Sequence, residues 1–381
     1  MRITLNHRPR RIYGVTEHLL FDDPVALTAA LIDIESPSHH EAEIADRIEA
    51  ALRPLGGVEV IRSGNTVVAR TQFGHPQRVV LAGHIDTVPL AGNTPHHFER
   101  GADGEELLFG CGSVDMKSGL ACYLSVFAQL AGEGADACAF DMTLIAYEGE
   151  EVAARYNGLA HLERDRPELL AGDLALLGEP SGGVIEAGCQ GSIRVFVDAH
   201  GTRAHSARSW LGANAAHQLA PVLTRVAEYQ PRTVTIAGCE YREGLNVVGM
   251  EGFVATNTIP DHARLVVNFR FAPDRSVEEA KAHLEEVLDI AGPLTLTYDD
   301  VAPGALPGLD DPVAADLVRA VGGTSRAKFG WTDVARFSSL GVPAVNFGPG
   351  DPGFAHKKDE QCPVSQIRGV HAQLLEYLSG R

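Results

Sequence analysis

Short apolar runs bounded by turn signals alternate with helical spacing through the first half of the chain. Residues 24–33 and 41–53 have helical periodicity, the second with apolar positions at 44, 48, 51 and 52, and Pro37 and Ser38 separate them. An apolar run at 78–83 ends in a polar cluster, and residues 117–131 are apolar nearly all round, which predicts a buried helix. Runs at 141–147 and 173–178 read as further buried strands. Strands alternating with helices predict an α/β fold, a mostly parallel mixed sheet flanked by helices on both faces.

The texture changes near residue 190. Residues 192–199 alternate as a half-exposed strand does, followed by a helix around 213–229, strands around 233–237, 246–256 and 263–271, a helix at 276–290 and a last strand near 294–299. These five strands and two helices predict an inserted α+β split βαβ unit built on a four-stranded sheet with two helices on one face. Helical spacing at 311–321 and 332–340 and an apolar run at 342–347 then read as a return to the first unit. The expected division is 1–189 with 304–381, interrupted by 190–303.

Length agrees with two units, because 381 residues exceed what one hydrophobic core accommodates. Fifty acidic against 32 basic residues give a formal charge of -18, which argues against nucleic acid or an anionic membrane as partner. A small anionic substrate stays open, since local arginines can oppose the global field. No apolar run approaches the ~20 residues of a membrane-spanning helix. The basic N-terminus (residues 1–15) lacks the apolar segment of a secretory signal and reads as a solvated tail. The six cysteines are widely spaced, which fits reduced thiols in a cytoplasm.

Five groups of residues change the picture. His84 and Asp86 follow the run at 78–83; Asp115 sits in GCGSVDMKSG; Glu150 and Glu151 follow 141–147; Glu179 follows 173–178; His356 lies in GDPGFAHKKDE after 342–347. Most stand just past the C-terminal end of an apolar strand, where open α/β sheets bind ligands. Any one of these acids alone reads as a helix cap or surface group, and Glu150–Glu151 could cap a helix at 152–162. Gathered together, the carboxylates would repel one another and call for a cation. Mixed histidine and carboxylate donors without thiolate suit a divalent metal, and two His with three acids exceed what one tetrahedral zinc needs. Two metals sharing a carboxylate fit the number of donors.

HIDTVP, GCGSVDMKSG, the Glu-Glu pair, LLGEPSGG and AHKKDE, in that order, resemble the co-catalytic dinuclear zinc amidohydrolase family, which includes aminoacylase, acetylornithine deacetylase and carboxypeptidase G. YEGEEVAARYNGL, IEAGCQG, AHSARSWLGANA and KFGWTDVARFSSLGVPAVNFGPGDP are most similar to its desuccinylase branch. The resemblance spans about residues 24–380 and implies a zinc-peptidase-like catalytic domain with an inserted lid that mediates a homodimer. It implies His84, Glu179 and Asp115 on one zinc; Glu151, His356 and the same Asp115 on the other; Asp86 orienting His84; and a cis peptide after Asp115. Glu150 would be the general base and acid on the attacking water, and His205, reaching the other subunit's site, would steady the oxyanion. Zinc leads by affinity, with cobalt or manganese as substitutes where availability favours them. Three acids stand at Glu148, Glu150 and Glu151, and many relatives carry Asp where this chain has Gly149; the adjacent pair is taken as base and ligand.

The implied reaction is hydrolysis of a succinylated diaminopimelate, an anionic substrate whose carboxylates call for arginine. Arg270, Asn257 and Thr332 match substrate contacts of the family, and Arg336, a helical turn past Thr332, is a further candidate. Many relatives carry an arginine pair before Gly191, where this chain has Cys189 and Gln190, and Arg208 is the candidate replacement. The alternatives are another N-acyl-amino-acid deacylase or a dipeptidase of the family, or a non-catalytic binding protein on the same fold.

Overall fold

The computed structural model describes residues 19–380, so the reading of the basic N-terminus lies outside the described residues. Its larger sheet has eight strands in the spatial order Val58–Ser63, Thr66–Thr71, Asp141–Tyr147, Arg78–His84, Leu174–Leu177, Ala344–Asn346, Ile185–Ala187 and Ser325–Ala327. The central strands Asp141–Tyr147, Arg78–His84, Leu174–Leu177 and Ala344–Asn346 run parallel, and antiparallel pairings enter on both sides.

The strands read as continuous apolar runs because both faces are covered. Val79 and Leu81 enter a core shared with helices Pro24–Ile32, Lys117–Glu133 and Val364–Ser379. Val80 and Ala82 enter a second core on the opposite face, with Leu159 and Leu162 of helix Gly158–Asp165 and Phe337 of Val334–Ser339. At ~1.5–3 kcal/mol per fully buried aliphatic side chain, these two layers provide most of the favourable free energy that fixes the strand ends in place.

Two local choices bear on the site. A Cβ on Gly119 would lie 1.8 Å from the Gly178 carbonyl oxygen, so a glycine there lets helix Lys117–Glu133 approach the end of strand Leu174–Leu177. Helix Gly158–Asp165 is capped by Asn157, whose side chain accepts from the Ala160 amide at 3.0 Å. Glu150 and Glu151 therefore do not cap a helix over 152–162; residues 154–156 form a 3₁₀ turn instead.

The second sheet is antiparallel, in the order Gly244–Glu251, His262–Phe271, Gly191–His200 and Leu294–Ala302. Helices Ala215–Gln218, Ala220–Glu228 and Val277–Leu288 cover one face with Leu219, Val222, Ala280 and Leu284. The expected strand at 233–237 does not join this sheet. It pairs as Thr233–Ile236 with Cys239–Arg242 in a separate hairpin. Cys239 and Tyr241 of that hairpin pack into the first core, where the Tyr241 hydroxyl donates to the Ala187 carbonyl at 2.6 Å. Burial of a tyrosine against the larger sheet won over extension of the smaller one.

Candidate metal centre and active site

The register of the parallel strands brings the site together. His84 lies beside Tyr147 and Ala82 beside Leu177, so three neighbouring strands end at nearly one level. Glu150 with Glu151, and Glu179, leave from the ends of the strands that flank His84. Asp115 enters from the loop before helix Lys117–Glu133, and His356 from the segment after the turn Pro352–Phe354.

Donor atoms of His84, Asp115 and Glu179 lie within 4.8 Å of one another, as do those of Asp115, Glu151 and His356. Asp115 is common to both sets. His84 Nε2 is 3.1 Å from one carboxylate oxygen of Asp115, and His356 Nε2 is 3.4 Å from the other and 3.0 Å from Glu151. His84, Glu150 and Glu151 form a third combination within the same limit.

Asp86 braces this arrangement from below. The backbone carbonyl of Asp86 is 2.9 Å from His84 Nδ1, which fixes the ring and leaves Nε2 facing Asp115. The Asp86 carboxylate accepts from the Ser38 hydroxyl at 2.8 Å and from the amides of Glu150 and Glu151 at 3.1 and 3.2 Å. One buried acid thus orients a histidine and sets the turn that carries the Glu-Glu pair. Glu148 points elsewhere, accepting from the Asn65 amide at 2.9 Å. Gly149 has φ +70°, and a Cβ there would meet the Tyr156 carbonyl at 2.3 Å, so this turn has no room for an aspartate at 149.

The electrostatics are those of an over-acidic pocket. Burial, then the charge of Glu179, pushes the Glu150 carboxyl well above its ordinary range. Burial, then the charge of Asp115, raises Glu179 to about 7. Burial works against the charged form of Asp115, but hydrogen bonds from His356 and His84 prevail and hold its pKa low. Hydrogen bonds to Asp115 and Glu151 raise His356 to about 10. Burial opposes protonation of His84, yet its contacts with Asp115 and Asp86 raise its pKa well above that of free imidazole. Glu179 Oε1 is buried and has no hydrogen-bond partner. An orphaned carboxylate oxygen beside two histidines and two more acids is a donor set that fits divalent cations.

The donors open onto a cleft of about 400 Å³, lined also by Glu186, Lys328, Trp331 and Thr332. Among the substrate candidates, Thr332 is on this wall, its hydroxyl donating to Asn346 Oδ1 at 3.0 Å. Arg336 does not line the cleft, and its guanidinium is paired with Asp333 (Nε to Oδ1, 3.2 Å) and with Glu163. Arg270, His205, Arg208 and Asn257 belong to the second sheet unit and do not line the cleft. Arg270 is half-buried on strand His262–Phe271 with no ion-pair partner among the described residues. His205 and Arg208 are exposed, and the His205 ring accepts from the Ala207 amide.

Residues 80–379 match the description of peptidase family M20/M25/M40. The chain belongs to this family. Within it, a succinyl-diaminopimelate desuccinylase of Corynebacterium glutamicum is 57% identical over 365 residues, 94% of this chain and 97% of that one. Among solved structures, a Staphylococcus aureus tripeptidase shares the fold with a TM-score of 0.74 at 20% identity, covering 95% of this chain and 98% of that one. A Bacillus subtilis protein described as a dinuclear metal-binding peptidase of the M20 family superposes with a TM-score of 0.65 at 14% identity, over 93% and 96% of the two chains. The expected cis peptide between Asp115 and Met116 is present.

One residue of this M20 site escaped the reading of the sequence. The buried Glu360 carboxylate accepts from the amides of Val114 and Asp115 at 2.8 and 3.0 Å through one oxygen and of Gly112 at 3.1 Å through the other. It thereby ties the segment carrying His356 to the loop carrying Asp115. Its signal was only the last letter of AHKKDE, beside more obvious charges. Glu360→Gln presents an NH₂ group where an acceptor stands. We expect it to weaken metal affinity about 10- to 100-fold, as lost outer-shell support does. Competition with a chelating dye reads this directly, and unchanged affinity would remove Glu360 from the site.

Proposed function

We propose that the chain hydrolyses N-succinyl-L,L-2,6-diaminopimelate to succinate and L,L-diaminopimelate, a precursor of lysine and cell wall. The observation that carries this reading is 57% identity, across nearly the full length of both chains, to a protein named for that activity. An intact donor set and base agree with it, and neither would be needed in a pure binding protein.

His84, Asp115 and Glu179 would hold one metal and Glu151, His356 and Asp115 the other; zinc is the assignment that mixed histidine and carboxylate donors favour, with cobalt or manganese as substitutes. When bound, the metal pair supplies Lewis acidity toward the scissile carbonyl and the attacking water. Glu150 takes a proton from the water and returns it to the nitrogen as the amide C–N bond breaks, a task suited to a carboxylate whose pKa is raised by burial. Asp86 keeps Glu150 and His84 in register through the hydrogen bonds described above.

Residues 190–303 act in this reading as a lid and dimerisation domain on a catalytic domain of 1–189 and 304–381. Its edge strand Gly244–Glu251 leaves Val248 and Met250 exposed, and Phe253, two residues past its end, is 83% exposed. Apolar surface on a sheet edge supports pairing with a second copy. In such a homodimer His205, and with it Asn257 and Arg208, would serve the partner's cleft, and Arg270 would offer its free guanidinium to a substrate carboxylate. A sedimentation measurement giving the mass of a single chain would remove this part. A cytoplasmic location is supported by six buried free cysteines. Among the described residues no helix is long and apolar enough to cross a membrane.

The test is turnover by zinc-loaded protein on the succinyl compound beside acetylornithine and a dipeptide panel. Hydrolysis of the succinyl compound alone, abolished by a chelator and restored by zinc, is expected. Preference for another amide would keep the chemistry and overturn the substrate.

A further inference from the structure

We propose that Lys328 receives the terminal carboxylate of the acyl group and so makes the cleft select a dicarboxylic acyl chain over a neutral one. The inference rests on the reading of the chain as a desuccinylase.

The cleft wall carries Asp115, Glu150, Glu151, Glu179 and Glu186. A bound metal pair would answer the carboxylates that ligate it, but the far end of a succinyl group needs a cation of its own. Among the described residues lining the cleft, Lys328 is the one lysine or arginine. Its ammonium donates to the Pro180 carbonyl at 3.0 Å and lies 3.0 Å from Glu186 Oε2. An ammonium has three N–H donors, so even with both neighbours served at least one remains for a ligand. Glu186 does not neutralise Lys328 alone, because Arg326 Nε also donates to it, at 2.9 Å. The three side chains together keep a positive charge beside the cleft.

Placement strengthens the case. Strand Ser325–Ala327 runs parallel to Ile185–Ala187 with Ala327 opposite Ala187. Lys328 therefore leaves the sheet beside residues 188–190, and its amide donates to the Ala187 carbonyl. This is the stretch that holds Cys189 and Gln190 and brings no charge: Cys189 is buried, and Gln190 Nε2 is committed to the Arg242 carbonyl at 2.6 Å. Arg208, the sequence-based candidate for the missing cation, is exposed on the other unit. Pro180 follows Glu179 directly, so Lys328 stands next to a proposed metal ligand. Only two methylenes separate the scissile carbonyl of a succinyl amide from its terminal carboxylate, and a short acyl chain requires a cation that close.

The experiment compares zinc-loaded wild type, Lys328→Met and Lys328→Arg on N-succinyl-L,L-diaminopimelate and on its succinamoyl analogue, in which a carboxamide replaces the terminal carboxylate. Metal content is measured for each protein, and succinate binding is followed by calorimetry. Lys328→Met should raise KM for the succinyl compound about 10- to 100-fold, the loss expected for a charge-assisted hydrogen bond. It should erase the preference over the succinamoyl analogue, leave metal content intact and weaken succinate binding by a similar factor, while Lys328→Arg keeps most of the preference. A Lys328→Met protein that still prefers the succinyl compound, or that loses metal and slows equally on both, would overturn the assignment in favour of a role in holding Pro180 and Glu179. Wild type that turns over neither compound would sink the desuccinylase reading instead. Succinate binding would then decide on Lys328 alone, with weaker binding by Lys328→Met supporting the assignment and equal binding overturning it.

Discussion

Replacing Glu150 by Gln is expected to leave both metals bound while lowering kcat about 10²- to 10⁴-fold, the usual contribution of a positioned general base. The substitution keeps the volume of the side chain and its backbone hydrogen bond to Asp86, so the Glu150–Glu151 turn should hold. It removes the one group in the cleft that combines a strongly raised pKa with a place outside both Asp115-sharing donor sets. Because burial and Glu179 already favour the neutral carboxyl, a neutral amide should be tolerated at this position without loss of folding stability. Metal analysis and steady-state kinetics on the same preparation check this. Loss of metal, or a near-normal rate, would show that base and ligand have been misassigned between Glu150 and Glu151.

Asp115→Ala should be more severe, and by a different route. Asp115 is the one donor shared by the two sets, and its carboxylate faces both His84 and His356. Its removal should release both metals together rather than one. Loss of Lewis acidity toward the carbonyl is worth several kcal/mol, so turnover should fall about 10³-fold or more. By contrast, His356→Ala should first empty only the set containing Glu151, since His356 is the half-exposed member of that set while His84 is fully buried in the other. Elemental analysis of Asp115→Ala and His356→Ala proteins, dialysed side by side, checks the difference. Retention of one metal by Asp115→Ala would break the shared-ligand account.

The larger sheet was legible because its central strands are buried on both faces. Runs such as 78–83 and 141–147 are apolar without interruption, and each ends in residues that have no reason to be buried unless they work. The strand Asp141–Tyr147 is found at the boundaries expected. The edge hairpin Val58–Ser63 and Thr66–Thr71 passed unnoticed, since its outer strand mixes Glu59 and Arg62 among apolar residues and is only partly buried. The same ambiguity left open which strand of the inserted stretch stands outside its four-stranded sheet, and the structure shows it to be Thr233–Ile236: a strand pattern states that a segment pairs, not with which partner.

Site residues followed a similar rule. Glu150 and most of the proposed metal donors were legible by residue type and by position just past the end of an apolar strand. Glu360 and Lys328 were not, because a charged residue in a loop or at a strand end is ordinary until its neighbours are known. What distinguishes them is three backbone amides in one case and a buried ammonium on an acidic wall in the other. For Arg336, likewise, only the structure shows Asp333 and Glu163 paired with its guanidinium.

The most direct test of the central claim is a crystal of the zinc-loaded protein with data collected on both sides of the zinc absorption edge. Two anomalous peaks about 3.5–4 Å apart, both within bonding distance of Asp115, are expected, one beside His84 and Glu179 and the other beside Glu151 and His356. A single peak, or two that do not share Asp115, would contradict the dinuclear site on which the proposed hydrolysis depends.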